Sequence, residues 1–437
     1  MKPRKARTPH PNPDALRSVT IEKAIYGGSF LARLEGKALF VPLTLPGEQL
    51  RVRIVEEKRS FANAEIEEIV TPASERIAPL CPHFAVCGGC NYQHTDYPQQ
   101  LSFKQAILRE TLERGGVQVP LSIDVLAGEP WRYRNRVRLA FDAQGNVGYR
   151  GRRSHAITPI RECPIAAPLL VQSALAIADI LHSVTPAVRP SELSLFCNAD
   201  ASSLLASLFF AHPATIRIDD LARAVQERIP ALTGMELIVE DRNGRDARLL
   251  GRWGREHLVY PAAGFGYRVD TGAFFQVNRW LVDALVERVT AGRRGALAWD
   301  LFAGVGLFAK RLTESFARVV AVESAPAAIP GLTANLAGAG GTALRSDTLQ
   351  FLRRSNSAEI PDLIVVDPPR AGLGADITSH LAAIASPEIV YVSCDPATLA
   401  RDLQALAASG YSIGSITLVD LFPQTFHLET VVALRRS

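Results

Sequence analysis

The spacing of apolar residues changes along the chain. Between Ser18 and about Thr71, short stretches at 19–24, 37–41, 49–55 and 64–70 alternate apolar with polar residues, and Gly27-Gly28 and Pro46-Gly47 interrupt them. A two-residue period broken by such turns predicts a small β-barrel. Residues 97–114 carry a helical pattern. From Gly264 onward the period lengthens to strand, loop and helix, with strands expected at 296–302, 319–323, 342–347, 363–367, 388–394, 416–420 and 431–435. Uninterrupted apolar strands separated by helices indicate a parallel sheet covered on both faces. The short loop containing Phe422-Pro423 predicts that the last two strands form an antiparallel hairpin at the sheet edge. Residues 1–17 are basic, proline-rich and aperiodic, as in a flexible arm. The expected organisation is α/β and multidomain: the arm at 1–17, the barrel at 18–73, a central α+β domain at 74–262 and a Rossmann-like domain at 263–437.

Composition narrows the setting. A chain of 437 residues exceeds what one hydrophobic core supports, and 47% hydrophobic residues suit compact folding. No apolar run approaches the ~18 residues that a membrane span needs, and no signal-peptide core follows the basic N-terminus. A cytoplasmic monomer without a membrane partner is expected. The net charge of +4 is mild, but Arg132, Arg134, Arg136, Arg138, Arg150, Arg152 and Arg153 crowd residues 131–153 against the single acid Asp142. Arginines alternating on a strand period would share one face and form a stripe able to neutralise phosphates. Arg132, Arg134 and Arg136 are therefore candidate RNA contacts, with a merely solvated strand face as the plainer reading.

Two constellations carry chemistry. In Asp300-Leu301-Phe302-Ala303-Gly304-Val305-Gly306, a glycine turn follows a strand and opens a helix, and Glu323 ends the next strand. Glycine lets backbone approach a ligand, and a strand-end carboxylate can accept from ribose hydroxyls. The turn lacks a third glycine and a phosphate-binding lysine, which favours a nucleoside without pyrophosphate. Here the chain resembles class I methyltransferases. That resemblance implies S-adenosylmethionine as cofactor, with Phe302 and Gly304 lining its pocket, Glu323 on the ribose and Asp347 at the adenine edge. Asp367-Pro368-Pro369-Arg370 and Cys394-Asp395-Pro396 end two later strands. A thiolate adding to uracil carbon 6 makes carbon 5 nucleophilic, and a base must then remove the carbon 5 proton. Cys394 stands before a helix whose N-terminus is expected to favour the thiolate. Glu429 is the candidate base, with His427 as its competitor and an orienting role preferred for it. Asp367 is expected to bond the uracil edge or stabilise the enolate.

Phe274-Phe275-Gln276-Val277-Asn278, the glycine turn, Val366-Asp367-Pro368-Pro369-Arg370-Ala371-Gly372, the Cys394 segment and Phe422-Pro423-Gln424-Thr425-Phe426-His427-Leu428-Glu429 together resemble the RNA uracil-C5 methyltransferase family. The resemblance implies Cys394 as nucleophile, Glu429 as base and Gln276 as a further cofactor contact. Leu307 departs from relatives that carry asparagine after the glycine turn. Residues 26–42 look like the TRAM domain, an OB-like RNA-binding barrel, and Arg51, Arg53, Lys58 and Arg59 are its available cations. Cys81, Cys87, Cys90 and Cys163 provide four thiolates that suit either zinc or an iron–sulfur cluster by spacing. The large-subunit ribosomal branch of the family implies a [4Fe-4S] cluster there, and Cys197 is expected to be buried. The function implied is 5-methyluridine formation in 23S rRNA, with tRNA as the alternative substrate. A non-catalytic RNA-binding or assembly factor and an amino-nitrogen methyltransferase are the competing readings. An extruded target base would stack on an aromatic side chain.

Overall fold

The computed structural model describes residues 16–184, 189–213, 216–240, 247–355 and 359–436. The expected N-terminal arm lies outside the described residues except for Leu16 and Arg17. The chain divides into two compact units, one comprising residues 1–85, 90–103 and 424–426, the other residues 86–89, 104–423 and 427–437.

The first unit is built on β1 (Arg17–Ala24), β2 (Ser29–Leu34), β3 (Lys37–Pro42), β4 (Gln49–Glu57) and β5 (Phe61–Thr71), closed in the order β1-β2-β3-β5-β4. Period-2 patterning buries Val19, Ile21, Phe30, Leu39, Val41, Leu50 and Val52 inside. Phe30 packs edge-on against Tyr92 and Phe103. The buried Glu48 carboxylate accepts from Arg76 and from the Leu45 amide at 2.8 Å. The barrel's cations are largely committed to neighbours: Arg51 to Glu68, Arg53 to Glu67 and Lys58 to Glu56.

The helix α1 (Tyr97–Arg114) matches the range expected for it. In the second unit, β6 (Asp124–Leu126) is followed by β7 (Arg136–Phe141), β8 (Val147–Arg150), β9 (Ile157–Pro159), α2 (Pro168–Val184), β10 (Glu192–Cys197), β11 (Leu204–Phe210), α3 (Ile218–Arg228), β12 (Leu232–Glu240) and β13 (Ala247–Gly254). Seven of these strands form a mixed sheet, β13-β12-β11-β10-β7-β8-β9. The apolar faces of α2 and α3 cover it through Leu170, Ile177, Leu221 and Val225. The hairpin β14 (His257–Ala262) and β15 (Phe265–Asp270) then leads into α4 (Val282–Thr290).

The remaining elements are β16 (Gly295–Leu301), α5 (Leu307–Leu312), β17 (Phe316–Glu323), α6 (Ile329–Leu336), β18 (Gly341–Arg345), α7 (Thr348–Arg354), β19 (Leu363–Val366), α8 (Gly374–Ile384), β20 (Glu388–Ser393), α9 (Pro396–Ala408), β21 (Tyr411–Val419) and β22 (Glu429–Arg436). Their sheet runs β18-β17-β16-β19-β20-β22-β21-β6. Strands β16 to β20 are parallel, and β22 is antiparallel to both β20 and β21. The last two strands do form an antiparallel hairpin, but they do not end the sheet. Asp124–Leu126 pairs in parallel with Thr417–Val419 and covers that edge. A three-residue strand far upstream has too little periodicity to be read from sequence.

Two buried polar contacts anchor the loop that follows β21. Lys104 Nζ donates to Asp420 Oδ1 at 2.6 Å and to the Phe422 carbonyl at 2.9 Å, with both charged side chains fully buried. Asn278 Nδ2 donates to the Leu421 carbonyl at 3.2 Å. Lys104→Met would leave the Asp420 carboxylate buried without its cation, a loss of roughly 3–5 kcal/mol. The urea midpoint should fall accordingly, and Asp420→Asn in the same chain should recover much of the loss. An unchanged midpoint for the single variant would show that this pair does not anchor the loop.

Candidate active site

The carboxyl end of β16 turns sharply through Phe302, Gly304 and Gly306, with φ of 64°, 55° and 84°. Positive φ at Phe302 is unusual for a residue with a Cβ and is held by its surroundings. Gly304 N donates to Glu323 Oε2 at 2.8 Å, while Glu323 Oε1 accepts from the Ser324 and Ala325 amides at 2.7 and 2.6 Å. Asn335 Nδ2 binds the Val305 carbonyl at 2.8 Å. A Cβ added at Gly304 would meet nothing within 4 Å, whereas one at Gly306 would strike Leu332 Cδ1 at 2.9 Å. Gly304 thus faces open space, and Gly306 is required by packing. Gln276 is buried and its carbonyl accepts from Asn135 Nδ2 at 2.8 Å. Asp347 caps α7 by accepting from the Gln350 amide at 3.1 Å and remains exposed.

One residue in this turn was quoted in the sequence motif without a role. Asp300 is fully buried; its Oδ2 accepts from Ala309 N at 2.8 Å and its Oδ1 has no partner among the described residues. Burial, with repulsion from Asp367 and Glu323, pushes its carboxyl up to about 8. The signal available in sequence was an acid at the end of an otherwise apolar strand.

Asp367 leaves β19 with its amide donating to the Leu301 carbonyl at 3.3 Å. The following loop is fastened to α9 through buried Asp402. Its Oδ2 accepts from Leu373 N at 2.7 Å and from Tyr391 Oη at 2.8 Å. Its Oδ1 accepts from Arg401 Nε at 2.9 Å. Sequence spacing alone attaches no role to Asp402. Arg370 Nη2 donates to His427 Nδ1 at 3.1 Å, which places the imidazole proton on Nε2. Burial and the Arg370 cation push His427 down to about 4. It stays neutral, which suits an orienting group.

Cys394, Glu429, Asp367 and Arg370 form one electrostatic group. Burial, then the Asp367 charge, raises Glu429 well above the usual carboxyl range, against the pull of Arg370. Burial and Glu323 raise Asp367. The Cys394 thiol is pushed up to about 11 by burial, then by Glu429 and Asp367, and Arg370 opposes this. The expected helix-stabilised thiolate is therefore corrected. Asp395 caps α9 by accepting from the Ala397 and Thr398 amides at 3.0 and 2.9 Å, so a carboxylate already occupies the positive end of the helix.

The arginine stripe also differs from its expected form. Strand β7 begins only at Arg136, because the amides of Arg132, Arg134 and Asn135 donate to the carbonyls of Pro164, Ile165 and Val277. Arg136 Nη1 donates to the Ala273 carbonyl at 3.0 Å, and its guanidinium lies 4.3 Å from the Phe196 ring centroid. Burial pushes it down to about 10. Arg138 is paired with Glu192 and Glu240. Arg132 is exposed, with φ of 53°.

Among the cysteines, Gly89 N donates to Cys87 Sγ at 3.4 Å, and Tyr149 Oη lies 4.0 Å from Cys163 Sγ. Burial and the sulfurs of Cys163 and Cys87 raise the Tyr149 hydroxyl well above its usual range, while Arg134 opposes this. Cys81 N donates to Gln93 Oε1 at 3.0 Å. Cys197 is buried, as expected, and pushed up to about 12 by that burial. Glu256, His257 and Asp270 bring potential ligand atoms within 4.8 Å of one another, but Arg252 and Arg268 already pair with these acids. That group is an ion-pair network.

A family model described as tRNA (Uracil-5-)-methyltransferase matches residues 357–437, and a TRAM domain model matches residues 16–66. The chain is 33% identical to a 23S rRNA (uracil(1939)-C(5))-methyltransferase, RlmD, of Klebsiella pneumoniae, covering 96% of this chain and 95% of that one. It is 30% identical to an uncharacterized RNA methyltransferase of Thermotoga maritima over 96% of this chain and 99% of that one. The crystal structure of Pyrococcus abyssi tRNA (uracil-54, C5)-methyltransferase, solved with S-adenosyl-L-homocysteine, shares the fold at a TM-score of 0.75 and 22% identity. That likeness covers 96% of this chain and 100% of the other. The 33% identity over 96% of this chain and 95% of its relative makes this chain a member of the RNA uracil-C5 methyltransferase family.

Proposed function

We infer that this enzyme methylates carbon 5 of a specific uridine in RNA with S-adenosylmethionine as methyl donor, and that the RNA is 23S rRNA. The observation that carries the reaction is the grouping of Cys394, Asp367, Arg370 and Glu429 at one end of the sheet, where β19 and β20 finish and β22, paired Thr430 to Ser393, begins. The 33% identity over nearly the whole of a 23S rRNA enzyme favours rRNA over tRNA. A working thiol supports a reducing, cytoplasmic setting. Among the described residues, no helix is long and apolar enough to cross a membrane.

The open space beside Gly304, the strand-end Glu323 and the buried orphan oxygen of Asp300 fit a nucleoside ligand carrying a positive charge. Phe302, Gly304, Glu323, Gln276, Asp347 and Asp367 would hold the cofactor, which supplies an electrophilic methyl group when bound. Cys394 gives its proton to solvent and its sulfur forms a bond to uracil carbon 6, while the carbon 5–carbon 6 π electrons move onto carbon 5 and the carbon 4 oxygen. Arg370, the cation opposing the Cys394 carboxylate neighbours, favours the thiolate in this step. Asp367 would bond the uracil edge or stabilise the enolate. Once carbon 5 carries the methyl group, Glu429 takes its proton. The released pair restores the carbon 5–carbon 6 double bond and expels the Cys394 sulfur.

The same reading assigns Cys81, Cys87, Cys90 and Cys163 to a [4Fe-4S] cluster with a structural role. A four-thiol donor set and an amide donated to Cys87 Sγ suit cluster sulfur chemistry. Anaerobically purified protein should contain iron and acid-labile sulfide in equal amounts, and Cys163→Ser should lose both. Zinc in their place would overturn the assignment.

With RNA carrying tritium at uridine carbon 5, cofactor-dependent tritium release is expected from unmodified 23S rRNA and not from tRNA. Cys394→Ala should abolish release, and Glu429→Gln should accumulate a covalent protein–RNA adduct. Methylation that survives in Cys394→Ala would favour an amino-nitrogen target, and release from tRNA alone would move the substrate.

The charge relations give a separate test. Cys394 and Glu429 both act deprotonated, and both pKa values are raised, so activity should be lost as pH falls and should climb from pH 6 toward pH 9. Glu429→Gln removes the largest carboxylate repulsion on the thiol. Iodoacetamide should therefore alkylate Cys394, followed by peptide mass spectrometry, faster in this variant than in the wild type at pH 8. Equal rates would show that Glu429 does not control the thiol.

A further inference from the structure

Among the described residues, two aromatic side chains are exposed, Phe274 at 61% and Trp280 at 43%. Both lie on the segment that carries Gln276. Phe274 lies two residues before Gln276, whereas Trp280 stands beyond the buried Asn278.

Two consecutive side chains clasp two consecutive carbonyls there. Trp280 Nε1 donates to the Trp131 carbonyl at 3.0 Å, and Arg279 Nε donates to the Arg132 carbonyl at 2.9 Å. Arg279 Nη1 also donates to the Ala199 carbonyl at 3.1 Å. Its guanidinium lies 4.1 Å from the Trp280 ring centroid, so the cation covers part of the indole. The Trp280 amide is fixed by Asn278 Oδ1 at 3.0 Å. Asn278 in turn holds the carbonyl of Leu421, next to the loop that leads to His427 and Glu429. The ring is thus both immobilised and solvent-facing.

The surrounding charge points to the partner. Arg279 is oriented by carbonyls and makes no ion pair among the described residues, and the same holds for exposed Arg132. Arg138, by contrast, is spent on two glutamates. Arg132 sits at φ 53°, its amide held by the Pro164 carbonyl at 2.9 Å and its own carbonyl by Arg279. Left-handed backbone at a non-glycine residue is a strain kept where the surroundings fix it, and such positions gather at binding sites. A rigid aromatic face under one guanidinium, with the exposed Arg132 held at its backbone alongside, matches the pairing of base stacking with phosphate attraction that binds single-stranded nucleic acid.

We propose that Trp280 is a stacking platform for a base of the RNA strand flanking the reacting uridine, with Arg132 contacting the adjoining phosphate. The platform rests on the RNA-methylating reading and extends it by naming where the strand is gripped outside the catalytic group. Arg279 acts as a positioning residue that holds the indole and adds its charge.

The test uses the full chain and two probes, a short single-stranded oligouridylate and an abasic ribose-phosphate strand of equal length. Oligouridylate should quench the tryptophan fluorescence of the wild type and the abasic strand should not. Trp280→Ala should remove this quenching and weaken oligouridylate binding about ten-fold, while Trp280→Phe keeps most of the affinity. Arg132→Gln should keep the stacking preference for base-bearing over abasic strand but lower the slope of log affinity against log salt by about 1. Equal quenching by both strands, or Trp280→Ala binding within about two-fold of the wild type, overturns the platform. Tritium release from 23S rRNA is measured on the same preparations. An enzyme that releases tritium but shows no Trp280-dependent binding sinks the platform alone, whereas absence of release sinks the methylation reading.

Discussion

The crowding of carboxyl groups at the carboxyl ends of adjacent parallel strands governs the rest of the catalytic unit. Asp300 closes β16, Glu323 closes β17 and Asp367 follows β19. The strand order reverses between β16 and β19, which is where an open sheet leaves a crevice for a ligand. Glu323 is held by three amides, while Asp300 is buried and Asp367 half-buried, and both are raised by desolvation and by their acidic neighbours. Taking a carboxyl group out of water disfavours its charged form, and a second carboxylate nearby adds to the cost. These acids therefore destabilise the empty site as pH rises through their elevated pKa values, and a positively charged ligand would offset that cost. A sulfonium donor has the sign of charge this crevice favours.

Arginine is divided between two uses. Arg138, Arg252 and Arg268 are neutralised by carboxylates, and Arg136 is stacked on Phe196 and bonded to a carbonyl. Among the described residues, Arg132 and Arg279 make no carboxylate pair, and Arg279 is held by carbonyls. Net charge could not have separated these groups, since surface pairs cancel it at a distance while contributing little to stability. In the barrel the same division appears, with Arg51, Arg53 and Lys58 each beside a glutamate. The capacity to attract phosphate thus depends on which guanidinium groups lack a partner, and sequence spacing alone does not reveal that.

The period of the apolar residues made the barrel strands, α1 and the parallel sheet legible, because burial on one face or on both leaves a direct imprint on the sequence. The edge strand Asp124–Leu126 left no such imprint, being three residues long and half exposed. Motif spacing located Cys394, Asp367, Glu323 and Glu429, since strand ends are where an open sheet displays its chemistry. It did not disclose Asp300 or Asp402, whose importance lies in buried bonds to Ala309, Leu373 and Tyr391 that only the folded chain brings together. The arginine stripe misled for a related reason. Alternation at 132, 134 and 136 satisfies a strand period, yet the backbone there bonds to loop carbonyls and the strand starts later.

The state of Cys394 follows from a contest between two local fields. A thiol before a helix N-terminus would gain from the dipole, but that effect is worth only about 0.3–1 kcal/mol at ordinary exposure and falls off within one turn. Here Asp395 takes the first amides, and two carboxyl groups face the sulfur from other strands. Burial, with these carboxyl groups added, outweighs the dipole and pushes the thiol up to about 11. This favours a nucleophile that is unreactive toward stray electrophiles and is activated as the site fills. Arg370 is the cation able to shift the balance, and it sits on the loop that Asp402 pins to α9 while donating to His427. Loop position, thiol ionisation and the placement of the base are thereby linked through one guanidinium, and the neutral imidazole of His427 serves to aim it.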